Sequence, residues 1–158
     1  MQDCELVSAD APKRSVEHPA ADAGGSIPRG FSRSGRLLKH SDFDRVYKQG
    51  RRHFSSHMTV FYLRRPEAKS DSPEGKPHDL GARVGLTVGK VLGRAVQRNR
   101  IKRRLREAVR LRRLALNGAG AVDVVINPKK SVLTLEFSVV LDEVGKALEV
   151  ITRKMAAK

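Results

Sequence analysis

From Met58 to Leu63 the chain reads Met-Thr-Val-Phe-Tyr-Leu, a run of β-branched and aromatic residues that predicts a strand. A second strand is predicted from Ala82 to Val88, where Val84, Leu86 and Val88 alternate with Arg83, Gly85 and Thr87. Val122 to Ile126 is an apolar run broken only by Asp123 and ended by Pro128, the pattern of a buried strand. The polar stretch Arg51 to His57 has room for one short strand more. Elsewhere the period changes. Phe43, Val46 and Tyr47 fall at helical spacing, with a capping-box-like Ser41 and Asp44 ahead of them and Gly50 as a C′ stop, so a short helix is predicted over 42–49. Ile101, Leu105, Ala108, Val109, Ala115 and Leu116 share one sector of a helical wheel, which predicts one amphipathic helix from Ala95 to about Leu116, stopped by Asn117-Gly118. Phe137, Leu141, Val144, Leu148 and Ile151 form the apolar stripe of a C-terminal helix with Thr134 as its N-cap. The order α-β-β-β-α-β-α implies an α+β protein: a two-layer α/β sandwich whose helices cover one face of a four-stranded sheet. All or part of the other face is left to a ligand.

Composition then sets the scale. The 158 residues are 39% hydrophobic but only 4% aromatic, with no Trp, which allows one domain with a small aliphatic core. Residues 1–30 carry three basic and five acidic side chains among Ala, Pro and Gly, with no apolar period, and read as a disordered tail of net charge −2. Pro66, Pro73, Gly75, Pro77 and Gly81 mark 65–81 as a flexible loop. The whole chain carries +15, so the domain over 31–158 carries +17. That imbalance calls for a polyanion, either nucleic acid or an anionic membrane surface, rather than a small acidic substrate. No run reaches the roughly 18–20 apolar residues of a membrane span, and Met1 to Gly30 holds no apolar signal core, so a soluble cytoplasmic protein is expected. Cys4 is the single cysteine, which excludes an intramolecular disulfide and a cysteine zinc site. His18, His40, His53, His57 and His78 form no metal-ligand spacing and read as surface residues. No acidic cluster or histidine pair argues for a protein-borne hydrolytic centre, so no catalytic residue is expected.

The charge concentrates between Lys90 and Arg113, where eleven basic residues face one acid, Glu107. On the wheel Asn99, Lys102, Arg103, Arg106, Arg110 and Arg113 lie opposite Ile101, Leu105 and Val109, so one side packs and the other presents a cationic strip that nothing else on the helix neutralises. A merely solvated helix would mix signs for i,i+4 support. Neighbouring like charges a few ångström apart cost about 1 kcal/mol per pair even in water, and a phosphate backbone reverses that sign. A membrane-surface helix usually borders its apolar face with Trp or Phe, and this one has neither. Arg104 and Arg112 lie nearer the apolar sector and suit packing better than ligand contact.

Gly85-Leu86-Thr87-Val88-Gly89-Lys90 followed by Gly93-Arg94-Ala95-Val96-Gln97-Arg98-Asn99-Arg100-Ile101-Lys102-Arg103 resembles the signature of the bacterial ribonuclease P protein family, whose Arg-Asn-Arg motif is here Arg98-Asn99-Arg100. Leu37 to Gly50 resembles the family's first helix and its entry, and the similarity spans about residues 33–152. The resemblance implies a ribosomal protein S5 domain 2-like fold with a left-handed βαβ crossover, where pattern alone suggests the usual right-handed one. It implies a ribonuclease P subunit that partners a catalytic RNA and precursor tRNA, with no membrane and no obligate protein partner. The RNA would hold the Mg²⁺ ions for hydrolytic, endonucleolytic removal of the 5′ leader. Arg94, Arg98, Asn99, Arg100, Lys102, Arg103 and Arg106 would bind the RNA subunit. Phe43, Tyr47 and Phe61 match positions lining the family's cleft for the single-stranded leader, with Arg83 and Lys90 as backbone clamps beside it. Read from the residues alone, Phe43 and Tyr47 at i,i+4 beside Val46 suit core packing better than a cleft wall. A ribosomal or RNA-chaperone protein and a protein-only nuclease are the other classes open to such a chain.

Overall fold

Alternation along Met58–Arg64 sends Met58, Val60 and Tyr62 to one side, where they are buried, and Thr59, Phe61 and Leu63 to the other, where they are half-buried. The computed structural model describes residue 33, residues 35–66 and residues 81–157. The tail expected over 1–30 and nearly all of the loop expected over 65–81 lie outside the described residues. In chain order the elements are α1 (His40–Gln49), β1 (Arg51–Phe54), β2 (Met58–Arg64), β3 (Arg83–Leu86), α2 (Ala95–Arg112), β4 (Val122–Pro128) and α3 (Phe137–Ala156). Short 3₁₀ turns at Lys90–Leu92, Arg113–Leu116 and Lys130–Leu133 flank the later helices.

The sheet order is β1-β2-β4-β3, with β2 antiparallel to both its neighbours and β3 parallel to β4. The parallel pair is joined through α2. Strand β4 lies inside the sheet and is buried on both sides, which explains its almost unbroken apolar run. Helices α2 and α3 share one face, where Ile101, Leu105, Val109, Val144, Leu148 and Ile151 pack on Val60, Tyr62, Val124 and Ile126. Helix α1 lies on the opposite face with Val46 on Val125 and Leu37, flanked by Phe43, Tyr47, Phe61 and Leu63. The single helical layer expected from the pattern therefore holds for α2 and α3, while α1 covers part of the other face. A ten-residue helix has too short an apolar side to widen the main core, but enough to cap the centre of the sheet.

Several boundaries differ from the sequence pattern for local reasons. Helix α1 starts two residues earlier than expected, with Lys39 rather than Ser41 as N-cap and no side-chain cap, and His40 pairs with Asp44 at 3.0 Å. Gly50 ends α1 in extended backbone at φ −76°, not in a left-handed turn; glycine is required because a Cβ there would run into the Val46 carbonyl. Pro128 is the last residue of β4 and pairs with Met58. Thr134 does not cap α3. Glu136 holds that position, and Thr134 instead closes the preceding 3₁₀ turn through a 3.1 Å bond to the Ser131 carbonyl. His57 is more than a surface residue. Its backbone N–H donates to Glu143 at 2.6 Å and its Nδ1 lies 2.9 Å from Ser131 Oγ, while Ser55 also bonds Glu143, so the β1–β2 turn is fastened to α3.

Asp123, the one charge in the β4 run, sits on the α1 face with its side chain 1% exposed. Arg83 grips it with a fork, Nε to Oδ1 at 2.8 Å and Nη2 to Oδ2 at 2.7 Å. Arg45 reaches Oδ2 at 3.0 Å and Arg65 approaches Oδ1 at 3.5 Å. Asp42 completes the cluster, accepting from Arg83 at 3.2 Å and Arg45 at 3.4 Å. The Asp123 bond is the largest influence raising the Arg83 pKa, while burial, followed by the charge of Arg83, lowers that of Arg65. The network ties α1, the end of β2, β3 and β4 together. Removing the buried carboxylate takes away the charge on which three guanidinium groups converge and leaves Arg83 and Arg45 only Asp42, so Asp123→Asn is expected to cost about 3 kcal/mol of stability, seen in urea unfolding as a lower midpoint with an unchanged slope.

Candidate nucleic-acid interface

Helix α2 buries Ile101, Leu105, Ala108 and Val109 and turns Arg94, Asn99, Arg100, Arg103 and Arg106 to solvent, with Arg98 and Lys102 half-exposed. All seven residues expected to face a polyanion thus lie along one helix and its entry, where backbone N–H groups at the N-terminus add positive potential. Arg94 occupies the N-cap, and its backbone N–H bonds the Gln97 side chain at 2.9 Å.

Other arginines of this segment are spent within the protein. Arg104 donates to the carbonyls of Val132 at 2.6 Å, Leu133 at 3.2 Å and Leu135, fastening α2 to the turn before α3. Arg112 meets Asp142 at 3.0 Å. Arg110, counted in the strip by its angle on the wheel, is held by Glu107 through bonds of 2.9 and 2.5 Å. That contact lowers the Glu107 pKa and raises that of Arg110. The strip is therefore shorter than the wheel implies, and it lies toward the N-terminal two-thirds of the helix.

The second region lies on the opposite face of the sheet, beside α1. Phe43 rests against Gly85, where an added Cβ would come within 2.6 Å of the ring. Phe43 and Tyr47 both pack on the α1 cluster, so the packing role open from the sequence holds for each of them. Tyr47 and Phe61 also pack edge to face, with centroids 4.8 Å apart at 74°, and the Tyr47 hydroxyl bonds Thr87 Oγ1 and Asn127 Oδ1, each at 2.8 Å. The Arg52 guanidinium sits 5.4 Å from the Phe61 ring centroid. Lys90 is exposed at the start of the 3₁₀ turn that follows β3. Arg83, expected as a clamp beside the aromatic side chains, is not a free cation there: its guanidinium is committed to Asp123 and Asp42, where it positions α1.

Sequence reasoning missed Arg45, Arg52, Thr87 and Asn127 as parts of this face. Their roles depend on strand register and on contacts between distant segments, which no local period encodes. Asp123 was missed as well, although its charge inside an apolar run was a local signal that it needed partners. Among the described residues no three His, Cys, Asp or Glu side chains gather as a metal site, and no helix is long and apolar enough to cross a membrane.

Fold and charge together define a class: a small, strongly basic α+β protein with a cationic helix on one layer and an aromatic cluster on the other. The family described as Ribonuclease P matches residues 31–152. The ribonuclease P protein component of Dictyoglomus thermophilum is 34% identical over 119 residues, covering 75% of this chain and 89% of its own length. That of Carboxydothermus hydrogenoformans is 33% identical, covering 75% and 92%. The solved structure of the Staphylococcus aureus RNase P protein has a TM-score of 0.58 at 24% identity, over 73% of this chain and 94% of that one. The RNase P protein from Thermotoga maritima has a TM-score of 0.58 at 23% identity, over 73% and 96%. The chain belongs to the ribonuclease P protein family, the protein side of a tRNA-processing ribonucleoprotein.

Arginines that are adjacent in sequence should separate by experiment. Arg104→Ala is expected to lose about 2 kcal/mol of stability with little change in the salt dependence of RNA binding. Arg103→Ala should leave the thermal midpoint nearly unchanged and flatten the plot of log K against log salt by about one unit. Melting curves and binding titrations at several salt concentrations check both.

Proposed function

We propose that this chain is the protein subunit of a ribonuclease P, binding the catalytic RNA through the exposed face of α2 and the single-stranded 5′ leader of precursor tRNA in the groove beside α1. The observation that carries this reading is the separation of the two surfaces. Six cations, Arg94, Arg98, Arg100, Lys102, Arg103 and Arg106, line one helix with no acid among them. The aromatic cluster beside α1 lies on the other side of the sheet. Phosphates of a folded RNA suit the first surface, and Arg forks add bidentate contacts. Unpaired bases of any identity suit the second, because every base has a face that can stack on an aromatic ring.

The groove's two nearby carboxylates, Asp42 and Asp123, are occupied by arginines. That donor set suits Mg²⁺ held by the RNA subunit rather than by this chain. The metal-borne centre would supply the hydrolysis of the leader phosphodiester. The protein's own part is to bind the RNA, hold the leader extended and screen phosphate repulsion near the scissile bond. Such an assembly works where tRNA precursors are made, the cytoplasm.

Reconstitution tests this reading. The protein alone should leave precursor tRNA intact, while its addition to the cognate RNA subunit should lower the Mg²⁺ concentration needed for cleavage. With about six phosphates met by α2, the salt slope of assembly is expected near −4 to −5. Cleavage by the protein alone in a nuclease-free preparation would refute it.

A further inference from the structure

Pairing register places Arg52 opposite Phe61 and Phe54 opposite Thr59, with Thr59 in turn opposite Asn127. Thr87 continues the row at the end of β3, its backbone N–H bonding the carbonyl of Ile126 at 3.1 Å. The α1 face of the sheet thus has two transverse rows. One, centred on Val125, lies under α1. The next, Thr87, Asn127, Thr59 and Phe54, runs alongside the helix from the Lys90 turn to the edge strand.

Phe54 is the anomaly in that row. It is 70% exposed at the sheet edge, the one aromatic among the large exposed hydrophobic residues. Of the six aromatic residues among the described ones, Tyr62 and Phe137 belong to the main core, while Phe43, Tyr47, Phe61 and Phe54 share the α1 face. A chain so poor in aromatics leaves one of them bare beside the groove. Phe54 and Phe61 are diagonal neighbours on adjacent strands, about 7–8 Å apart. Aromatic rings on adjacent strands of a sheet stack successive bases of a single strand in other RNA-binding folds.

We propose that the leader passes from the Phe61 row onto this neighbouring row and runs along it to the edge strand, with Phe54 stacking a base beyond the one met at Phe61 and Arg52, opposite Phe61 and on the same strand as Phe54, meeting the intervening phosphate. This rests on the leader reading above and extends its binding site to the edge strand. Asn127 fits the track: its Oδ1 accepts from Tyr47, which leaves its amide N–H groups as donors to a base edge. Charge favours RNA as the occupant, since Arg52 is exposed on this same face of the edge strand.

The test uses the reconstituted holoenzyme and precursor tRNAs whose leaders run from one nucleotide to about ten, with affinity and single-turnover cleavage measured for each. Phe54→Ala should weaken binding of long-leader substrates about five- to tenfold, the low end for one base stack, with no loss for the shortest leader. Phe54→Tyr should restore it, and Phe61→Leu should weaken binding from shorter leaders onward. Wild-type affinity in Phe54→Ala at every length, with Phe61→Leu impaired, overturns the track and spares the leader reading. If neither variant responds to leader length, the leader reading itself falls. A change in sedimentation of the free protein on Phe54→Ala, without a change in affinity, overturns the proposal in favour of contact between copies of the chain.

Discussion

A carboxylate inside a sheet is the constraint on which the rest of this molecule depends. Asp123 is withdrawn from water, where an isolated charge would cost several kcal/mol, and becomes tolerable only because Arg83, Arg45 and Arg65 converge on it. Those arginines come from β3, α1 and the end of β2, so neutralising one buried charge also decides where α1 sits. The apolar contact under α1 is small, centred on Val46, Leu37 and Val125. Its burial is worth only a few kcal/mol, and the directional forks supply the register that such a patch lacks. Tyr47 and Phe43 ride on α1, and the placement of the aromatic cluster is therefore a consequence of the ion network.

The same economy explains how a chain of +15 holds together. Its arginines divide into two populations. Arg45, Arg65, Arg83, Arg104, Arg110 and Arg112 are matched to carboxylates or to carbonyl groups, where fixed geometry makes charge cohesive. Arg94, Arg100, Arg103 and Arg106 are exposed along α2 and repel one another until a polyanion arrives. What looks like one basic helix in the sequence is, in the fold, an outward strip of exposed cations and an inward set of fasteners. Composition reports the sum of the two and distinguishes neither.

Strand alternation in Met58–Arg64 and the helical periods of α2 and α3 involve residues close in sequence, which is why the order of elements and the packed face of α2 were legible. The Arg98-Asn99-Arg100 block and its flanks marked the family for the same reason. Other features were hidden because they join segments far apart: Arg83 meets Asp123 across 40 positions and Arg45 meets it across 78. Arg83 consequently looked like a free cation. Arg52 gained its place over Phe61 only through the β1–β2 register, and Phe54 became notable only once the face it shares was known. Helix starts shifted where backbone geometry outweighed a plausible cap, as at Ser41 and Thr134.

The central claim is that one sheet separates two RNAs, the catalytic subunit on the α2 layer and the leader on the α1 face. Site-directed crosslinking measures this most directly. In a Cys4→Ser background, Arg103→Cys and Thr59→Cys each carry a short photoreactive group into the holoenzyme bound to a precursor tRNA labelled in its leader. Position 103 should crosslink the RNA subunit, and position 59 should crosslink the leader. Leader label captured from position 103, or only the RNA subunit captured from position 59, would contradict it.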